Sequence, residues 1–162
     1  MLLLNQGLDQ QSAVIMLTNV GNSKHVEIND AIHAILEGRS FTYPRRSSAV
    51  ALHDVIKTSG IAAAIKKYRY YKEKRADEYD VSESELNTLG YQLLYGDKKT
   101  QNAIRIFPLN SQEHSLSSNA FDSLAEAYQV IGNKEAANAN YKKSLALDPS
   151  NVHARTMLAQ LR

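Results

Sequence analysis

Residues 118–149 read Ser118-Asn-Ala-Phe121-Asp-Ser-Leu124-Ala125-Glu-Ala-Tyr128-Gln-Val-Ile-Gly132-Asn-Lys-Glu-Ala-Ala137-Asn-Ala-Asn-Tyr141-Lys-Lys-Ser-Leu145-Ala-Leu-Asp-Pro149. Phe121, Leu124, Ala125 and Tyr128 recur at helical spacing after a polar Ser-Asn start, which predicts a helix with one apolar face. Gly132-Asn133 turns the chain. Lys134 to Leu147 then forms a second helix with Ala137, Tyr141 and Leu145 on one side, ended by Asp148-Pro149. The pair Ala103 and Phe107 recurs as Ala137 and Tyr141. That step matches the helix-turn-helix period of about 34 residues that marks stacked hairpins, each burying its apolar face only against its neighbours.

Working outward, Ser82-Glu-Ser-Glu85 has the form of a capping box and opens a helix with Leu86, Leu89, Gly90, Leu93 and Leu94. Gly96-Asp97 is expected to end it. A partner follows with Ala103, Ile104 and Phe107, stopped at Pro108. The gap from Gly96 to Ala103 is two residues longer than that from Gly132 to Ala137. Further upstream, Ser47 and Ser48 cap a helix with Val50, Leu52, Val55 and Ile56, and Gly60 breaks it. Ile61 to about Lys74 then carries Ala64, Ile65, Tyr68 and Tyr71 on one side. Asn151 to Leu161 reads as a terminal capping helix. At the other end, Met1–Leu4 and Ser12–Thr18 predict a β-hairpin around Asn5–Gln11, followed by a helix over 24–37 with Val26, Ile28, Ile32, Ile35 and Leu36, and a C-cap at Gly38. The predicted fold is mainly all-α, stacked helical hairpins after a short N-terminal β-hairpin and helix. Its parts are 1–38, a linker at 39–46 and a repeat domain at 47–162.

Phe121, Leu124, Ala125, Tyr128, Gly132, Ala137, Tyr141, Leu145 and Pro149 resemble, in order and spacing, the tetratricopeptide (TPR) pattern. Ser144 stands where that pattern prefers Ala. The hairpin at 86–110 fits more loosely, and that at 47–75 is repeat-like. The resemblance implies a non-catalytic module for protein–protein contacts.

A second resemblance covers nearly the whole chain. Val14-Ile-Met-Leu-Thr-Asn19, Leu36-Glu-Gly38, the basic linker with Pro44, Ser59-Gly-Ile61, Leu89-Gly-Tyr-Gln-Leu-Leu94, Ala103-Ile-Arg-Ile-Phe107 with Asn110, then Asn119, Ser123-Leu124, Glu126-Ala-Tyr128 and Tyr141-Lys-Lys-Ser-Leu145 are similar to the tail of bacterial serine β-lactamase-like hydrolases, which include penicillin-binding-protein-like esterases. This implies that 1–38 is the remnant of a catalytic domain, and makes that missing domain one expected partner. The family's chemistry needs the serine of Ser-x-x-Lys. No serine here has lysine three positions later, and Tyr-x-Asn is absent. Ser117-Ser118-Asn119 belongs to a helix start, and Lys57-Thr-Ser-Gly60 has one residue more than Lys-Thr-Gly. The chain is therefore read as no enzyme; a hydrolase fragment active only with its missing domain is the alternative.

Other chemistry finds no support. With no cysteine, disulfides, thiolate metal sites and cysteine nucleophiles are excluded. His25, His33, His53, His114 and His153 are scattered, with no pair at metal-ligand spacing. Asp77-Glu-Tyr-Asp80 lacks the glycine and spacing of a calcium loop. No metal or cofactor is indicated. No apolar run approaches the roughly 18 residues of a membrane span, and the start lacks a signal peptide, so the expected location is cytoplasmic as written, or periplasmic if the chain derives from an exported parent.

Charge divides the chain. Residues 39–75 hold ten Lys/Arg against Asp54 and Glu73, and the remainder holds nine basic and fifteen acidic residues. Lys66-Lys-Tyr-Arg-Tyr-Tyr-Lys-Glu-Lys-Arg75 could pair phosphates and stack bases, a second alternative. Helical spacing instead puts Tyr68 and Tyr71 in the core, leaving a solvated basic face, and that reading is preferred to a nucleic-acid partner.

Stacked hairpins offer an extended concave surface lined by the first helix of each pair, on which a protein or peptide partner can lie. The candidate lining residues are Asn87, Gln92, Asp122, Glu126 and Gln129. Unpaired edges of the N-terminal strands offer a route to a homo-oligomer.

Overall fold

The computed structural model describes residues 2–5, 14–17 and 25–161, and divides into two compact units, Met1–Arg46 and Ser47–Arg162. In the first unit, β1 (Leu2–Asn5) pairs antiparallel with β2 (Val14–Leu17), Leu2 opposite Leu17 and Leu4 opposite Ile15. Most of the expected connection between them lies outside the described residues. Helix α1 (His25–Leu36) packs beside β2 and ends at Gly38, whose φ of 66° lets Arg39 N–H reach the Ala34 carbonyl at 2.8 Å. The expected apolar face of α1 is not the buried one. Asn29, His33 and Ala34 are buried, while Val26, Ile28, Ile35 and Leu36 are exposed, because the inward stripe of this helix follows the 29/33 register.

The second unit opens at Ser47, the last residue of the short strand β3 (Arg46–Ser47), whose partner is β4 (Tyr79–Asp80), and enters α2 (Ser48–Lys74). Gly60, at φ 82° and ψ 171°, interrupts α2 as the sequence predicts, so it runs as two helical arms. Then come α3 (Glu83–Tyr91), continued by one π-helical turn over Gln92–Gly96, α4 (Thr100–Glu113), α5 (Ser118–Val130), α6 (Lys134–Leu147) and α7 (Val152–Gln160). Side-chain caps from Ser117, Asn133 and Asn151 open the last three. Each helix packs on the next from α2 to α7, and α3 also reaches α5. The fold is mainly all-α, a stack of helical hairpins that follows, along the chain, a short β-hairpin and a helix.

Both arms of α2 feed one core, with Leu52, Ile56, Tyr68 and Tyr71 against Leu86, Leu89, Leu93, Phe107 and Leu124. Val50, expected inside, is 65% exposed. A second core gathers Ala125, Ala137, Tyr141 and Ala154. Ser144, the departure from the repeat pattern, is fully buried and bonded to Ser118 Oγ and Asn151 Nδ2, both at 2.9 Å, so its hydroxyl is satisfied.

Three local expectations change. The Ser82/Glu85 capping box does not close: Ser82 Oγ meets Ser84 Oγ instead. The Glu85 carboxylate accepts from Ser47 Oγ at 2.5 Å and from Ala49 N–H at 2.9 Å, where it satisfies an orphan donor of α2. Pro108 does not stop α4, which runs on to Glu113. Leu109, Asn110 and Ser111 are buried, and Asn110 Nδ2 donates to the Glu83 carbonyl at 3.2 Å. These contacts offset the one backbone bond that proline removes.

The third concerns the turn between α3 and α4. Lys98, not Gly96, is its left-handed residue, with φ 56°. Lys98 lies one repeat before Gly132, which has φ 79° in the next hairpin. Lys99 N–H reaches the Leu93 carbonyl at 2.7 Å, as Asn133 N–H reaches that of Tyr128 at 2.9 Å. The steps from Leu89, Gly90 and Leu93 to Leu124, Ala125 and Tyr128, however, are each one position longer than the step from Lys98 to Gly132. An extra residue therefore lies between Leu93 and Lys98, and the π turn absorbs it. Asp97 N–H closes that turn on the Gln92 carbonyl at 2.8 Å.

Candidate functional site

Two clefts on the second unit are lined by the first helices of the successive hairpins, joined at one of them by the terminal helix α7. The smaller, about 190 Å³, is bounded by Ala49, Val50 and His53 of α2 and by Thr88, Leu89 and Gln92 of α3 and its π turn. The larger, about 340 Å³, is bounded by Tyr95 of the π turn, Glu126, Gln129 and Val130 of α5, and His153 and Met157 of α7. A further open hollow follows the chain along Lys98–Asn102, at the turn into α4.

At the smaller cleft, Asp97 ties α2 to the end of the π turn. His53 Nε2 lies 2.7 Å from Asp97 Oδ2, and Gln92 Nε2 donates to Oδ1 at 2.9 Å. The hydrogen bond from His53 first, and that from Gln92 second, hold the Asp97 carboxyl below the usual carboxylate range.

The larger cleft is organised around Glu126. Its carboxylate accepts from the Tyr91 hydroxyl at 2.7 Å and from the Tyr95 hydroxyl at 2.5 Å, and the two rings are parallel with centroids 6.0 Å apart. The Tyr91 oxygen also accepts from Ser123 Oγ at 3.1 Å, and its ring meets Phe107 edge-on at 5.2 Å. Burial first, and the Glu126 hydrogen bond with it, push the Tyr95 hydroxyl up to about 12; burial likewise raises that of Tyr91. Both are donors at neutral pH. Asp122 holds His153, with Oδ2 2.7 Å from Nδ1, and accepts from Asn151 Nδ2 at 3.2 Å. Gln129 Oε1 accepts from the buried Tyr141 hydroxyl at 3.1 Å.

The structure thus brings Glu126 and Gln129 into one cleft and joins Asp122 to its wall through His153. Gln92 lines the other cleft. Asn87 lines neither: it is half-buried, and its Oδ1 is enclosed without a hydrogen-bond partner. The sequence reading passed over Tyr91, Tyr95, Val130, His153 and Met157. A signal existed for the tyrosines: they precede Glu126 and Val130 in the same register that relates Leu89 to Leu124.

On the basic segment, Tyr68 and Tyr71 are buried, while Lys66, Lys67, Arg69, Tyr70 and Lys72 are exposed. Lys67 Nζ sits 5.2 Å from the Tyr70 ring centroid, and Lys72 pairs with Glu113 of α4 at 2.6 Å. Among the described residues, no group of three or more His, Asp or Glu stands where it could hold a metal ion, and no helix is long and apolar enough to cross a membrane.

No family model matches this sequence, and no curated protein matches it. Among solved structures, the chain is similar to one described as the first TPR of Spaghetti (RPAP3) bound to the HSP90 peptide SRMEEVD, at 20% sequence identity and a TM-score of 0.48, over 72% of this chain and 93% of that one.

Proposed function

We propose that residues 47–162 form a non-catalytic, TPR-like module that makes protein contacts through the face built by the first helix of each hairpin. The observation that carries this reading is the placement of the two clefts on that face, one between α2 and α3 and the other among the π turn, α5 and α7. Solvent-accessible clefts with a few converging polar groups are where ligands sit. Half-exposed apolar groups at the larger cleft, Tyr95 and Val130, favour a partner over water alone.

A photocrosslinking amino acid at Gln129, compared with one at Lys142 on the exposed side of α6, tests the proposal in the organism that makes the protein. Adducts formed from position 129 alone support it. Equal adducts from both positions, or none from position 129, count against it.

We also propose an origin for residues 1–38. Residues 1–38 are taken as the end of a serine β-lactamase-like catalytic domain, which would itself be a candidate partner, on the strength of the resemblance from Val14 to Gly38 and beyond. Reading the frame upstream of Met1 tests it: a Ser-x-x-Lys domain there supports this origin, and an unrelated frame removes it.

A further inference from the structure

We propose that the larger cleft receives a cationic side chain, an arginine or lysine, on the partner's chain. This rests on the interaction face just described and names the chemistry that face selects. Four observations converge on it.

The first is charge. None of the six residues lining the cleft is Lys or Arg, and Asp122 is engaged by His153, which leaves Glu126 as the carboxylate facing the opening. Second, Glu126 is held in place but not neutralised. Two phenolic hydroxyls fix it, one on each oxygen, and they occupy two of roughly four lone-pair sites of a carboxylate. A guanidinium or ammonium can take the remainder in a charge-assisted bond. Third, the surroundings suit the rest of such a side chain. Tyr95 is 53% exposed and Val130 is 49% exposed, and Met157 lines the same cleft. A cation stacks on a tyrosine face, and the methylene stem of Lys or Arg covers apolar surface.

The fourth observation is independent of the acidic groups. Tyr95 lies within the π turn, whose extra residue sets α3 one residue out of register with the hairpin that follows. Such single-turn insertions in helices gather at functional sites. Here the turn carries the ring that binds Glu126.

Four acetylated heptapeptides, Ala-Ser-Val-Xaa-Val-Ser-Ala amides with Xaa as Arg, Lys, Gln or Glu, are titrated into the full chain by amide NMR. The Arg and Lys peptides are expected to shift the amides of Tyr95, Glu126 and Gln129, and to bind roughly tenfold or more tightly than the Gln peptide, with the Glu peptide weakest. Added salt should narrow the difference. Glu126→Gln should remove the preference for Arg over Gln, and Tyr95→Leu should weaken the Arg peptide. The melting curve of each variant reports whether it is folded. Equal binding of all four peptides, shifts elsewhere on the surface, or no shift with the Arg peptide at millimolar concentration overturns the proposal. Adducts at position 129 alongside a charge-indifferent peptide series remove this inference and leave the interaction face standing; loss of both removes both.

Discussion

Glu85 of α3 caps a helix that is not its own: its carboxylate accepts from Ser47 Oγ at 2.5 Å, and Ser47 is the N-cap of α2. The same carboxylate oxygen takes the Ala49 N–H at 2.9 Å, so one acidic side chain at 8% exposure locks the first repeat-like pair to the second. Replacing Glu85 with Ala leaves that buried donor unpaired. Glu85→Ala is expected to cost about 1–3 kcal/mol and Glu85→Gln less, measured as a lowered urea midpoint at unchanged slope. An unchanged midpoint would contradict this role.

Gly90 of α3 faces the Phe107 ring of α4 with no room for a side chain. A Cβ on Gly90 would lie 2.6 Å from Phe107 Cε1, and Phe107 is fully buried. Gly90→Ala should destabilise by about 1–3 kcal/mol through overpacking. Combined with Phe107→Leu, it should cost less than the sum of the two single changes, since the smaller side chain gives the methyl room. Strict additivity in denaturation would argue against direct contact.

Lys98 and Gly132 occupy the same turn position one repeat apart, both at positive φ, and only one is glycine. Lys98→Gly should stabilise and Gly132→Ala should destabilise, each by about 1 kcal/mol. Opposite shifts in Tm are the expected outcome. A fall in both would mean that Lys98 contributes more through its side chain than its backbone costs.

His114 sets a pH dependence. Burial first, and Lys72 second, hold its imidazole below the usual value of 6.5, and its Nε2 is enclosed without a partner. The unfolded chain then takes up the proton more readily than the folded one. Stability should be full above about pH 6.5 and decline as pH falls through that value toward the folded pKa. His114→Gln should flatten this decline in urea titrations between about pH 5 and 7. A wild-type midpoint that does not change over that range contradicts the burial argument.

Much of the fold is legible because punctuation and periodicity agree. Gly132, Asn133 and Pro149 bound α6, and Tyr68 and Tyr71 fall on the buried stripe of α2 as their spacing requires. The failures occur where tertiary contacts outweigh local signals. Pro108 reads as a stop, yet the packing of Leu109 and Asn110 carries the helix past it. Ser82 and Glu85 read as a local box, yet Glu85 finds a better use at the start of α2. Gly96 reads as the turn residue because glycine is the usual one at positive φ, while the actual turn residue is a lysine. The site was half legible. Glu126 and Gln129 follow from helix register alone, while Tyr91 stands just before, and Tyr95 within, a one-residue π insertion. In the sequence it is visible only as a step from Leu89 to Leu124 that is one position longer than the step from Lys98 to Gly132.

The most direct test of the interaction face is the dissociation constant of whatever partner is captured through position 129, measured for the wild type and for alanine variants on the two sides of the stack. The account predicts about tenfold weakening for Glu126→Ala and Gln129→Ala, and no change for Glu135→Ala and Lys142→Ala on α6. Weakening confined to the α6 variants, or an unchanged constant throughout, would contradict it.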